Sequence, residues 1–108
     1  MTDKIVALTT CGSEDEARKV ARALVWSRLA ACVNIVPCIE SVYQWEGKIQ
    51  DEKEWLLVIK SRRDLLGRLQ ALLTAEHSYE VPELVVLDIS GGSPSYLNWL
   101  NDELASAD

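Results

Sequence analysis

Residues 31–61, ACVNIVPCIESVYQWEGKIQDEKEWLLVIKS, read as two long strands joined by a tight turn at Glu46-Gly47-Lys48. On the first arm Ala31, Val33, Ile35, Ile39, Tyr43 and Trp45 occupy odd positions, while Asn34, Glu40 and Gln44 occupy even ones. That period of two is the mark of a strand with unlike faces. The second arm begins polar, from Gln50 to Glu54, and then becomes wholly apolar in Trp55-Leu56-Leu57-Val58-Ile59. An apolar run of this kind suits a strand covered on both faces.

The length of the hairpin has a further consequence. An arm of about fifteen residues at roughly 3.3 Å each reaches about 50 Å, whereas a compact domain of this size measures roughly 35 Å across. Either the arms bend, for which Pro37 is the natural place, or the tip projects. The tip carries Tyr43, Trp45 and Ile49, side chains that a monomer in water rarely leaves bare. The expectation is an oligomer.

The remaining elements follow from periodicity and caps. Ile5-Val6-Ala7-Leu8-Thr9-Thr10 is a strand that Cys11-Gly12 breaks. Ser13 with Glu16 three residues later reads as a capping box, and Glu14, Asp15 and Glu16 place negative charge at the positive end of a helix. Ala17, Val20, Ala21, Leu24 and Val25 then recur at helical spacing, and the helix is expected to end near Arg28. Ser61 and Asp64 repeat the cap signature ahead of Leu65, Leu69, Leu72 and Leu73, a second amphipathic helix. Residues 74–83 form a loop containing His77-Ser78-Tyr79-Glu80-Val81-Pro82-Glu83, and Leu84 to Ile89 is a final strand. After Gly91-Gly92, Ser93 is expected to cap a third helix with Pro94 at its first position and Leu97, Leu100 and Leu104 along its stripe.

The order β-α-β-β-α-β plus a last helix predicts an α+β, ferredoxin-like single domain over residues 1–108. Its expected strand order is 4-1-3-2, with both main helices on one face. The other face is apolar as well, so the third helix and neighbouring subunits are expected to share in covering it. In this reading the fourth strand runs antiparallel to the first and the third runs parallel to it. The end of the first strand (Cys11), the start of the fourth (Glu83) and the end of the third (Lys60) then meet at one edge, with the His77 loop leading into it. Thiol, imidazole and carboxylate would converge there as Cys11, His77 and Glu83, a donor set suited to copper or zinc.

The 108 residues suffice for one core. Hydrophobic residues are 48% and charged residues 26% of the chain, an ordinary globular balance. A formal charge of −6 with no basic cluster argues against nucleic acid or an anionic membrane as partner. Neither a secretory signal nor an apolar run approaching the ~20 residues of a membrane span is visible. Three cysteines are an odd number. Cys32 and Cys38 sit about 20 Å apart on one strand, too far to bridge, so free thiols in a reducing cytoplasm are expected. No nucleophile has an evident base partner, so no enzymatic activity and no organic cofactor are expected. Each candidate also has an ordinary explanation. A lone histidine is most often a hydrogen-bonded loop residue, a free cysteine a small buried hydrophobe, and the four tryptophans core and interface anchors.

Several stretches together resemble one family, the CutA divalent-cation tolerance proteins. They are Thr9-Thr10-Cys11, residues 29–35 (LAACVNI), residues 41–47 (SVYQWEG), Glu54 through Lys60, residues 77–83 (HSYEVPE) and Tyr96-Leu97-Asn98-Trp99. The resemblance spans nearly the whole chain in order. It implies a cytoplasmic homotrimer of ferredoxin-like subunits associated with tolerance to copper and other divalent metals. It also implies a copper site at the positions that are here Cys11, His77 and Glu83. Gly12 stands where the family often has proline, and Ser78 replaces the proline usual after the histidine. Two other functions fit the composition: a signalling trimer similar to the PII regulators, holding a small anion between subunits, or a stable scaffold with no metal.

Overall fold

The computed structural model describes residues 2–107. In chain order the elements are β1 (Lys4–Cys11), α1 (Glu14–Trp26), β2 (Cys32–Trp45), β3 (Lys48–Arg62), a 3-10 turn (Arg63–Leu65), α2 (Leu66–Glu76), β4 (Val85–Asp88) and α3 (Pro94–Glu103). The sheet order is β2-β3-β1-β4, the expected 4-1-3-2 read from the other edge.

The hairpin dominates the shape. Glu46 (φ 49°) and Gly47 (φ 78°) form a two-residue turn in the left-handed region, the geometry that matches the right-handed twist of a β-ribbon. The ladder breaks between Val36 and Ile39, at Pro37, which has no N–H to donate. Cys38 adopts φ 53° there, so the expected bend is a bulge. The tip still projects: the molecule extends 44 × 25 × 21 Å.

Every neighbouring pair of strands is antiparallel, including β1 and β3, where Val6 opposes Lys60 and Cys11 opposes Trp55. The parallel arrangement expected for β1 and β3 is therefore wrong. A right-handed crossover through α1 makes β1 and β2 parallel; the hairpin reverses β3 relative to β2 and hence to β1. Lys60 lies at the far end of the sheet from Cys11. The acid next to Trp55, Glu54, takes the place near Cys11 that was expected for Lys60.

Cross-strand neighbours share a face. Ala7, Cys11, Leu57 and Ile59 join Ala17, Val20, Leu24, Leu69 and Leu73 in one buried core beneath the helices. α3 adds Leu100, and Leu104 just after it, to that same core. One backbone and one side-chain hydrogen bond hold residues 105–106 there, with Ala105 N–H donating to Arg28 O and Arg68 Nη1 to Ser106 O. The third helix thus gives the opposite face no cover, contrary to expectation. On that face Val36, Val85 and Leu87 remain exposed.

The two serines expected to be caps behave differently. Ser13 Oγ accepts from Glu16 N–H at 3.2 Å, as an N-cap should. Ser61 instead lies inside β3 with no exposure, and its hydroxyl donates to Leu29 O at 2.6 Å. Asp64, its supposed partner, receives Arg62 Nε at 2.7 Å. Ser93 precedes Pro94 as expected but makes no side-chain cap bond. The difference has a measurable outcome. Ser13→Ala should cost about 1 kcal/mol, while Ser61→Ala, which strands a buried carbonyl, should cost roughly 1–3 kcal/mol. Urea denaturation of both variants checks the order, and a smaller loss for Ser61→Ala would contradict it.

Candidate metal centre

β1 ends at Cys11, which points into the helix layer and has no exposure. α2 ends at Glu76, and His77, its C-cap, donates its N–H to Leu73 O at 2.9 Å before an extended backbone (ψ 139°) carries the chain away. The imidazole therefore lies over the end of β1. Its Nε2 is 2.6 Å from Thr10 O and 4.0 Å from Cys11 Sγ. A carbonyl oxygen only accepts, so Nε2 carries the proton. Nδ1 is left to accept the N–H of Tyr79 at 3.1 Å.

Glu16 completes the group. Its position in the first turn of α1, five residues beyond Cys11, places its carboxylate 3.2 Å from His77 Nδ1. The Ser78 N–H (3.1 Å) and Oγ (2.7 Å) both donate to it. Burial pushes this carboxyl up, but the hydrogen bonds from Ser78 outweigh it, leaving it below the ordinary carboxylate range. Ligand atoms of Cys11, Glu16 and His77 lie within 4.8 Å of one another, the one group of three potential ligands this close among the described residues.

Of the expected trio, the structure thus brings Cys11 and His77 together and leaves Glu83 out of the group. Cys11 and Thr10 are successive strand residues and face opposite sides of the sheet. Glu83 lines a cleft on the Thr10 side, with Glu52, Glu54 and Tyr79. Its carboxyl is pushed above the ordinary range by burial and by the charge of Glu54. Glu16 was legible only as a cap partner. What could have revealed more was its place: an acid in the first helical turn after a strand sits over that strand's end.

Tyr79 links the two sides. Its ring stacks on His77 with centroids 4.7 Å apart, and its hydroxyl donates to Glu54 Oε2 at 2.7 Å. Gly12 permits this approach, since a Cβ at that position would meet the phenol oxygen at 2.8 Å. Burial, then the hydrogen bond to Glu54, pushes the phenol's pKa up.

The residues fit a soft or borderline cation in kind, with thiol, imidazole and carboxylate at one place. As folded, however, the group holds protons where a cation would sit. Burial, then the charges of Glu16 and Glu54, pushes the Cys11 thiol up to about 12. Nε2–H is committed to Thr10 O. Uptake of a metal must therefore release the thiol proton and shift or release the imidazole one.

The comparisons with known proteins agree with the fold and its sequence markers. A family described as "CutA1 divalent ion tolerance protein" matches residues 5–103. The chain is 50% identical over 98 residues to the chloroplastic protein CutA of Arabidopsis thaliana, covering 91% of this chain and 54% of that protein. It is 45% identical over 97 residues to the divalent-cation tolerance protein CutA of Thermus thermophilus, covering 90% and 94%. The chain spans about half the length of the plant relatives. The solved structure of a Thermus thermophilus divalent cation tolerance protein superposes with a TM-score of 0.92 at 43% identity, covering 94% of this chain and 99% of that one. The chain belongs to the CutA1 divalent ion tolerance family.

Proposed function

We propose that the protein is a cytoplasmic, non-enzymatic homotrimer that acts in tolerance to divalent metal ions and takes up copper weakly through Cys11 and His77. Glu16 is the carboxylate closest to them, and Glu83 contributes from the far side of β1 only if the loop after α2 rearranges. The observation that carries this reading is the meeting of thiol, imidazole and carboxylate within 4.8 Å at the end of β1. Thiolate and imidazole are softer donors than water or carboxylate, so copper is preferred to magnesium or calcium.

Assembly is supported by the face of the sheet that no helix covers and by two unpaired sheet edges, β2 and β4. Val42, Tyr43, Trp45 and Ile49 are exposed on the projecting tip. The three free cysteines fit a reducing compartment. Among the described residues no helix is long and apolar enough to cross a membrane. Metal content and stoichiometry of untagged protein, measured with sedimentation, test the reading. One copper per chain on a species of three chains is expected; a monomer that retains no copper against magnesium would overturn it.

A further inference from the structure

Thr9 lies inside β1 with no exposure. Among the described residues its Oγ1 is the one buried side-chain nitrogen or oxygen without a hydrogen-bond partner. A hydroxyl stranded in this way is destabilising, because it has lost water and gained no bond in exchange. Such groups are rare in native folds, and local violations of this kind concentrate where a fold serves a function. Valine would fill the same space with the same branched shape and no polar atom.

Strand alternation decides what this hydroxyl can reach. Thr9 and Cys11 are two residues apart and share the helix-facing side of β1, about 7 Å from each other along the strand. On that side Ala7 precedes Thr9 and Leu57 stands opposite it on β3, both buried and apolar. Of these three neighbours only Cys11 carries an atom that can accept a hydrogen bond from a side chain. The other members of the metal centre are already engaged. His77 gives its Nε2 proton to Thr10 O and accepts the Tyr79 N–H, while Glu16 accepts both donors of Ser78. The thiol has a single polar contact among the described residues, His77 Nε2 at 4.0 Å.

A neutral thiol is a weak acceptor, so a hydroxyl beside it gains little. A sulfur without its proton is charged, and a hydrogen bond to a charged acceptor is roughly twice as strong as a neutral one. Donors of this kind orient a metal-binding side chain and are part of what sets its affinity. We propose that Thr9 is a positioning residue of the metal centre, its hydroxyl donating to Cys11 Sγ when that sulfur has exchanged its proton for a cation. The inference rests on the Cys11–His77 reading above and adds to it a donor from the buried side. Without metal the same hydroxyl destabilises the fold. Stability and affinity are therefore opposed at this residue.

Competition titrations with copper(I), and thermal melts without metal, of the intact parent protein, Thr9→Val and Thr9→Ser test the proposal. Thr9→Val should weaken copper binding by roughly tenfold, the lower end of what loss of a supporting donor causes, and yet melt above the parent when metal-free. Thr9→Ser keeps the hydroxyl and should keep the parent's affinity, although the methyl group it deletes lowers its melting temperature. A merely structural role would move stability and affinity in the same direction. If Thr9→Val binds copper as tightly as the parent, the proposal is overturned while the Cys11–His77 site stands. It is overturned equally if Thr9→Ser loses as much affinity as Thr9→Val, or if metal-free Thr9→Val melts no higher than the parent, since the hydroxyl then has a partner already. A parent that takes up no copper removes the site itself, and the proposal with it.

Discussion

Copper affinity is expected to rise about a hundredfold between pH 6 and pH 8, tenfold per pH unit for one displaced proton. The cause is the Cys11 thiol, whose pKa is pushed to about 12, first by burial and then by Glu16 and Glu54. Throughout that range the group is a neutral thiol, so each copper that binds the sulfur must expel a proton, and the apparent constant scales inversely with proton concentration. The sign is fixed: binding strengthens with rising pH and levels off only near pH 12. Two pH units correspond to about 2.7 kcal/mol. Competition titrations at pH 6, 7 and 8 check it. A flat profile would show that the metal sits elsewhere, on groups already deprotonated at pH 6.

Trp45→Ala should dissociate the assembly. Trp45 ends β2 at the tip of the hairpin and is 47% exposed in the single chain. An indole left so open, beside an exposed Ile49 and Tyr43, is expected to pack on another subunit of the proposed trimer. Truncating a large aromatic at a packed site costs about 3–5 kcal/mol, and in a trimer that loss is repeated at each interface. Sedimentation at micromolar concentration should therefore show monomer for the variant and trimer for the parent. An unchanged trimer with unchanged melting would refute the placement of the tip against a neighbour.

The fold was readable because its decisive features are local. Gly47 marks the hairpin turn, Pro37 the break in the ladder, and alternation on β2 its two unlike faces. Ser13 announced α1 correctly because its side chain reaches the N–H of Glu16. Ser61 carries the same sequence signature and is no cap, since the strand runs on through Arg62 and the alternation turns Ser61 into the core. Nothing local distinguishes the two cases.

The site was half readable, for the same reason. Cys11 and His77 meet because a strand end and a helix end are brought together by the topology. Which glutamate joins them depends on the side of β1 that each reaches, and that is a property of packing. Reading β3 as parallel to β1 put Lys60 at the site, whereas the antiparallel register puts Glu54 there, bonded to Tyr79. The Gly12–Tyr79 approach could not be anticipated from residues 67 positions apart.

Copper titration of the parent protein alongside Cys11→Ser, His77→Ala and Glu16→Gln tests the central claim most directly. A site shared by these side chains predicts steep losses for Cys11→Ser and His77→Ala, with Cys11→Ser hurting copper(I) more than copper(II). Glu16→Gln should weaken binding by roughly ten- to a hundredfold, the usual effect of losing a group that orients a metal-bound histidine. If His77→Ala binds copper as tightly as the parent while Cys11→Ser alone loses it, one thiol is the whole of the binding, and the assembled site does not exist.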